Sequence, residues 1–97
     1  MTLTQGLPGG EAEIRNALRG VIDPEVGLSV VDLGLIYGIR VEDGIAVVRM
    51  TTTTRGCPAT QYLIDAVRQR ALDTGISDDV EVRLTYDPPW SPDMMAA

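Results

Sequence analysis

Two different periods govern where apolar residues fall along this chain, and the changes of period mark its elements. In residues 11–20, Ile14, Ala17 and Leu18, followed by Val21, recur at helical spacing. Glu11 and Glu13 stand in the first turn, where the helix dipole favours carboxylates. Asp23-Pro24 closes the segment, because proline holds the residue before it extended. From Leu33 to Val41, and again from Ile45 to Thr51, the spacing predicts strands. Asp43-Gly44 between them favours a two-residue turn and predicts a hairpin. With Glu42 opposite Ile45, Val41 pairs with Ala46, Ile39 with Val48 and Tyr37 with Met50, all apolar. A slip of one residue would mix the faces, so this register is well specified. The other face carries Gly38, Arg40, Glu42, Arg49 and Thr51 together with Ile36, Ile45 and Val47. That mixture predicts partial cover by a partner or by the C-terminal tail. Residues 26–32 follow neither period.

The helical period returns from Pro58 to Asp73, with Ala59, Leu63, Ala66, Val67 and Ala71 as the buried stripe. Pro58 suits a first helical position and Gly75 a helix end. Val80, Val82, Leu84 and Tyr86 then alternate with Glu81, Arg83 and Thr85 as a third strand. Prolines 88, 89 and 92 make the tail extended. Trp90, the one tryptophan, either pins this tail to the domain or serves as a partner-binding hook with Met94-Met95 beyond it. The order helix–strand–strand–helix–strand predicts an α+β, two-layer domain. Two helices pack on a three-stranded mixed sheet, the crossover is right-handed and an extended C-terminal tail follows. Residues 1–10, with Gly6, Pro8, Gly9 and Gly10, read as a flexible N-terminal arm, and residues 11–97 as a single domain.

Composition narrows the function. The apolar fraction of 44% is too high for a disordered chain. A net charge of −6 argues against nucleic acid and against an anionic membrane surface, which both call for basic patches. All eight cations are arginine and histidine is absent. A Ser-His-Asp triad or a zinc site built on histidine is therefore excluded within one chain. A single cysteine forms no intrachain disulfide, which fits a cytoplasmic setting. No basic stretch followed by an apolar run suggests a signal peptide, and no apolar run approaches the roughly 20 residues of a membrane span.

The chemistry concentrates in Thr51-Thr52-Thr53-Thr54-Arg55-Gly56-Cys57-Pro58, between a strand pattern and a helix pattern. A thiol at a helix start meets unpaired backbone N–H groups, whose field favours the thiolate, and Arg55 would add to it. The threonine hydroxyls are candidate donors to that thiolate or to an oxyanion beside it; β propensity explains them equally well. A lone cysteine is also commonly a small buried hydrophobe. Asp23-Pro24-Glu25 is either turn chemistry or a pair of carboxylates serving the thiol. An iron–sulfur cluster usually takes four thiolates, so one cysteine is too few. A homodimer would supply two, with Asp23, Glu25 or an external thiol completing a labile, exposed site.

Four segments in order, Val21-Ile22-Asp23-Pro24-Glu25, Val31-Asp32-Leu33-Gly34-Leu35-Ile36-Tyr37, Met50-Thr51 through Gly56-Cys57-Pro58, and Asp87-Pro88-Pro89-Trp90-Ser91-Pro92-Asp93-Met94, give the chain a resemblance. It resembles the small iron–sulfur cluster assembly family that includes SufT-like proteins, PaaD-like proteins and the eukaryotic cytosolic cluster-targeting factors. The resemblance implies a non-enzymatic role in maturing iron–sulfur proteins, with assembly machinery or client proteins as partners. Together with the single cysteine it points to a labile iron–sulfur cluster or iron, shared between chains, as the group handled, or otherwise to none. Family motif positions carry over to Asp23, Glu25, Thr51, Thr53 and Cys57. The family loop often reads Thr-Leu-Thr-Thr-Pro-Gly-Cys-Pro; here Thr52 stands for the leucine and Arg55 for the proline. Cys57-Pro58-Ala59 looks like the PaaD-like branch. The alternative is a metal-free accessory module for an oxygenase or another metalloenzyme, binding through Trp90 and the mixed sheet face. A thiol-dependent enzyme using Cys57 with Asp23 or Glu25 as base ranks below both, since a nearby carboxylate opposes thiolate formation.

Overall fold

A computed structural model describes residues 10–95. All but the last residue of the expected N-terminal arm lies outside them. Helix α1 spans Glu11–Leu18 and helix α2 spans Thr60–Asp73. The strands are β1 (Ile36–Glu42), β2 (Ile45–Met50) and β3 (Asp79–Leu84). A single turn of 3-10 helix, Pro92–Met94, lies in the tail. The sheet order is β1-β2-β3, with β1 antiparallel and β3 parallel to β2. This is the two-layer α+β fold with a mixed sheet that the periods predict.

The layers close around one core. Ile14 and Leu18 of α1, Leu63, Val67 and Ala71 of α2, and Ala46, Val48, Met50 and Val80 of the sheet are buried together with Leu33, Leu35 and Ile36. These positions fall on one helical stripe or one strand face each, so their burial follows from the apolar pattern. Asp43 and Gly44 both adopt positive φ, 52° and 79°, as the tight hairpin turn demands.

The hairpin register holds for Glu42–Ile45, Val41–Ala46 and Ile39–Val48. It fails at Tyr37. A bulge between Ile36 and Gly38 places Ile36 opposite Met50 and leaves Tyr37 unpaired. One extra residue exchanges the faces on either side of it. Ile36, expected on the mixed face, therefore joins the core, and Tyr37 turns outward to the tail. Its hydroxyl donates to Pro88 O at 2.8 Å and stands 3.5 Å from Met94 Sδ.

Other boundaries also shift. Helix α1 stops at Leu18 rather than at residue 20, and Leu33 and Gly34 form a turn, with Leu35 irregular, rather than strand. Gly34 sits there at φ 77° with Met94 O packed against it; a Cβ at this position would lie 2.3 Å from that oxygen. Helix α2 begins at Thr60, with Pro58 ahead of it instead of at its first position. The cause is a turn at Cys57–Thr60, in which Cys57 O accepts from Thr60 N at 3.0 Å and Thr60 Oγ1 at 2.7 Å. Strand β3 ends at Leu84, which is 39% exposed although expected in the core. It lies at the end of an edge strand with a neighbour on one side only.

The tail returns along the sheet. Trp90 Nε1 donates to Leu33 O at 2.7 Å, and the half-buried ring packs on the core. The Asp87–Pro88 peptide bond is cis. No helix among the described residues is long and apolar enough to cross a membrane.

Candidate functional site

Because β2 and β3 are parallel, the segments that leave them emerge at the same end of the sheet. The loop of residues 51–59 leaves β2 there, and Thr85-Tyr86 leaves β3 beside it. Thr51 extends the sheet by donating its N–H to Leu35 O at 2.9 Å, and Thr85 does the same to Met50 O at 2.8 Å. The loop and the segment after β3 thus both start from fixed backbone.

Cys57 is 7% exposed. It stands three residues ahead of the first helical residue, Thr60, so it is not at the helix start that the sequence suggested. The partner of Sγ is a carboxylate: it donates to Glu25 Oε1 at 3.4 Å.

Glu25 reaches the thiol because of the turn that carries it. Asp23 is 2% exposed, and its Oδ1 accepts the N–H of Glu25 at 2.8 Å. Asp23 O also accepts from Gly27 N at 2.8 Å, and Asp23 N donates to Leu28 O at 2.9 Å. The buried carboxylate therefore closes an Asx-type turn of residues 23–28. Asp23 thus shapes the turn, and Glu25, itself exposed, is in contact with the thiol.

The threonines divide in the same way. Thr51 and Thr52 are buried, Thr53 is half-buried and Thr54 is exposed. Thr51 Oγ1 stands 3.4 Å from Thr52 O. Thr52 Oγ1 lies 2.6 Å from Thr54 O and 2.8 Å from the Tyr86 hydroxyl. The Arg55 guanidinium lies over the Tyr86 ring, 4.6 Å from its centroid, instead of pairing with the thiol. Sequence reasoning placed Tyr86 in a strand and missed it as part of this loop. A tyrosine straight after a strand that runs parallel to the loop's own strand was the available signal.

Cys57 and Glu25 are two oxygen- or sulfur-bearing donors on one surface. Among the described residues no group of three or more Cys, His, Asp or Glu could hold a metal ion. Of the concavities elsewhere, two bear on the sheet face and the tail. One, of about 250 Å³, is on the open sheet face, lined by Gly38, Arg40, Val47, Arg49 and Arg83. The other, of about 570 Å³, lies where Pro88 and Met94 of the tail meet Ile36, Tyr37, Arg15 and Arg49. The tail thus covers one end of the mixed face, while Ile45 at the other end stays exposed.

Residues 11–89 match the family described as iron-sulfur cluster assembly protein. The chain belongs to that family. It is 39% identical over 84 residues to the Fe-S protein maturation auxiliary factor YitW of Bacillus subtilis, covering 86% of this chain and 82% of that protein. It is 43% identical over 77 residues to the Fe-S protein maturation auxiliary factor SufT of Staphylococcus aureus, covering 78% and 88%. The fold matches the crystal structure of a domain of unknown function, DUF59, from Bacillus anthracis. The TM-score is 0.84 at 33% identity, over 89% of this chain and 83% of that one. A role in iron–sulfur cluster assembly is therefore a family property, and both of these curated relatives are named as auxiliary factors.

Proposed function

We propose that this protein is a non-catalytic maturation factor that handles an iron–sulfur cluster, or iron, in transit to client proteins, with Cys57 as its contact atom. The observation that carries this reading is the approach of Cys57 Sγ to Glu25 Oε1 at 3.4 Å, across 32 residues of sequence. A soft and a hard donor then share one surface position, and the shielding of the thiol limits its wasteful oxidation. The cluster is cargo here. Two donors per chain hold it incompletely, so the remaining ligands come from a second copy of the chain, from the assembly machinery or from the client. Incomplete ligation makes the cargo easy to give up. Asp23 sets the turn that presents Glu25; Thr51 and Thr53 belong to the loop that presents Cys57. A cytoplasmic location, where thiols stay reduced, suits this chemistry.

Anaerobic reconstitution with iron and sulfide tests it, read by visible absorbance and metal content on wild type, Cys57→Ala and Glu25→Ala. Cluster is expected on wild type at less than one per chain, in a dimer, and on neither variant. If Cys57→Ser matures client proteins as well as wild type does, the thiol has no part in the function.

A second reading has its own support: a metal-free accessory module docking on another metalloenzyme through the open sheet face and Trp90. The concavity beside Gly38, Arg40, Arg49 and Arg83 favours it. Loss of partner capture in Arg49→Glu and Trp90→Ala, with capture by Cys57→Ser intact, would select this reading.

A further inference from the structure

We infer that Tyr86 is the positioning residue for Cys57, holding both halves of the loop that carries the thiol. The inference rests on the reading of Cys57 as the working residue, and it stands on contacts that are independent of any metal. The first contact has a fixed direction. Thr52 has one hydroxyl proton, and Thr54 O, at 2.6 Å, can only accept. Thr52 therefore donates to Thr54 O, and the Tyr86 hydroxyl, at 2.8 Å, donates to Thr52 Oγ1. One relay, Tyr86 to Thr52 to Thr54, ties the first half of the loop to the segment after β3. Thr52 is buried, so removing Tyr86's donor leaves an acceptor that water reaches poorly.

The second contact holds the other half. The Arg55 guanidinium lies on the face of the same ring, within cation–π distance. Gly56 follows, at φ 70°, and a Cβ added there would meet nothing within 4 Å. The chain between Arg55 and Cys57 thus has no side-chain packing of its own. The seat of Arg55 on Tyr86 is what directs the chain into Cys57. Tyr86 is itself anchored one residue after the Thr85 N–H bond to Met50 O, so its ring is a fixed post. It acts on the thiol only through the loop: hydroxyl for one half, ring face for the other.

The test is a double-mutant cycle read by the rate at which iodoacetamide alkylates Cys57 in the full chain. The variants are Thr52→Val, Tyr86→Phe, their double, and Tyr86→Leu. Tyr86→Phe should alkylate about five times faster than wild type, as loss of one coupled bond implies, and Thr52→Val, which also loses the bond to Thr54 O, at least as fast. The double should be no faster than Thr52→Val, because the bond that Tyr86→Phe removes is already lost there. Tyr86→Leu should be faster again, since the ring under Arg55 is lost too. Global opening, measured by amide hydrogen exchange of the core, separates a loop effect from loss of fold. Unchanged rates, multiplicative effects in the double, or rates that follow global opening would each overturn the inference. Cys57→Ser that matures clients normally, alongside a coupled cycle, would overturn the proposed function and leave Tyr86's role standing. An uncoupled cycle with an inactive Cys57→Ser would do the reverse.

Discussion

Cys57 Sγ donates to Glu25 Oε1 at 3.4 Å, and the contact bridges the turn after α1 and the loop before α2. The two partners differ in setting: the thiol is buried and the carboxylate is exposed. Glu25 therefore covers Cys57 from the solvent side.

Glu25→Ala should raise the alkylation rate of Cys57 by about three- to tenfold. The side chain that covers the buried thiol and accepts its hydrogen bond is gone. Stopped-flow reaction with iodoacetamide at fixed pH checks this, and a rate at or below wild type would contradict it.

Gly34 and Gly38 should respond oppositely to alanine. At Gly34 both the positive φ and the 2.3 Å approach to Met94 O oppose a Cβ. Gly34→Ala should cost more than about 1–2 kcal/mol and loosen the tail. A Cβ at Gly38 would meet nothing within 4 Å, and the backbone there needs no positive φ. Gly38→Ala should be neutral or stabilise by about 0.5–1 kcal/mol. Urea unfolding of the two variants against wild type measures both.

Trp90 combines ring packing with one hydrogen bond, and two substitutions separate them. Trp90→Phe removes the bond to Leu33 O and should cost about 1 kcal/mol. Trp90→Ala also removes most of the ring's contact with the core and should cost about 3 kcal/mol, with the tail becoming protease-sensitive. Equal effects of the two would mean that the ring contributes nothing by packing.

The hydrogen bond from Arg83 holds the Glu81 carboxyl below its ordinary value, helped by the nearby charges of Arg83 and Arg40. A carboxylate lowered in the folded state adds stability above its unfolded pKa of 4.5 and loses it as pH falls through the folded value. Both groups are fully exposed, so the contribution is small. Arg83→Gln should move the Glu81 titration upward in a carboxyl NMR experiment, with the other carboxylates almost unmoved.

Much of the fold was legible because period-two and helical patterns bury particular side chains. Val41, Ile39, Ala46 and Val48 had only one register that kept them together. The bulge at Tyr37 was not legible, because an inserted residue leaves the alternation locally plausible in either phase. The role of Asp23-Pro24-Glu25 stayed open for a different reason: the pairing of Glu25 with Cys57 is a long-range contact with no local trace. Thr52 and Arg55, the two departures from the family's usual loop, made sense only once both were seen on Tyr86. Composition had already marked Cys57 as the one thiol, though its neighbour was expected to be a helix end and is a carboxylate.

The parallel pairing of β2 with β3 has a consequence for synthesis on the ribosome. The β1–β2 hairpin is local and can form as soon as it emerges, but Ile45 meets Asp79 only after another 34 residues have been made. Tyr86 and Trp90 arrive later still. A nascent chain halted before residue 79 should therefore display a formed hairpin and a loose, freely alkylated Cys57. Arrested chains of increasing length, probed with a thiol reagent, should show the cysteine become shielded only after Tyr86 has cleared the exit tunnel. Until then the cell would carry an open thiol on an unfinished protein, whose shielding is completed last.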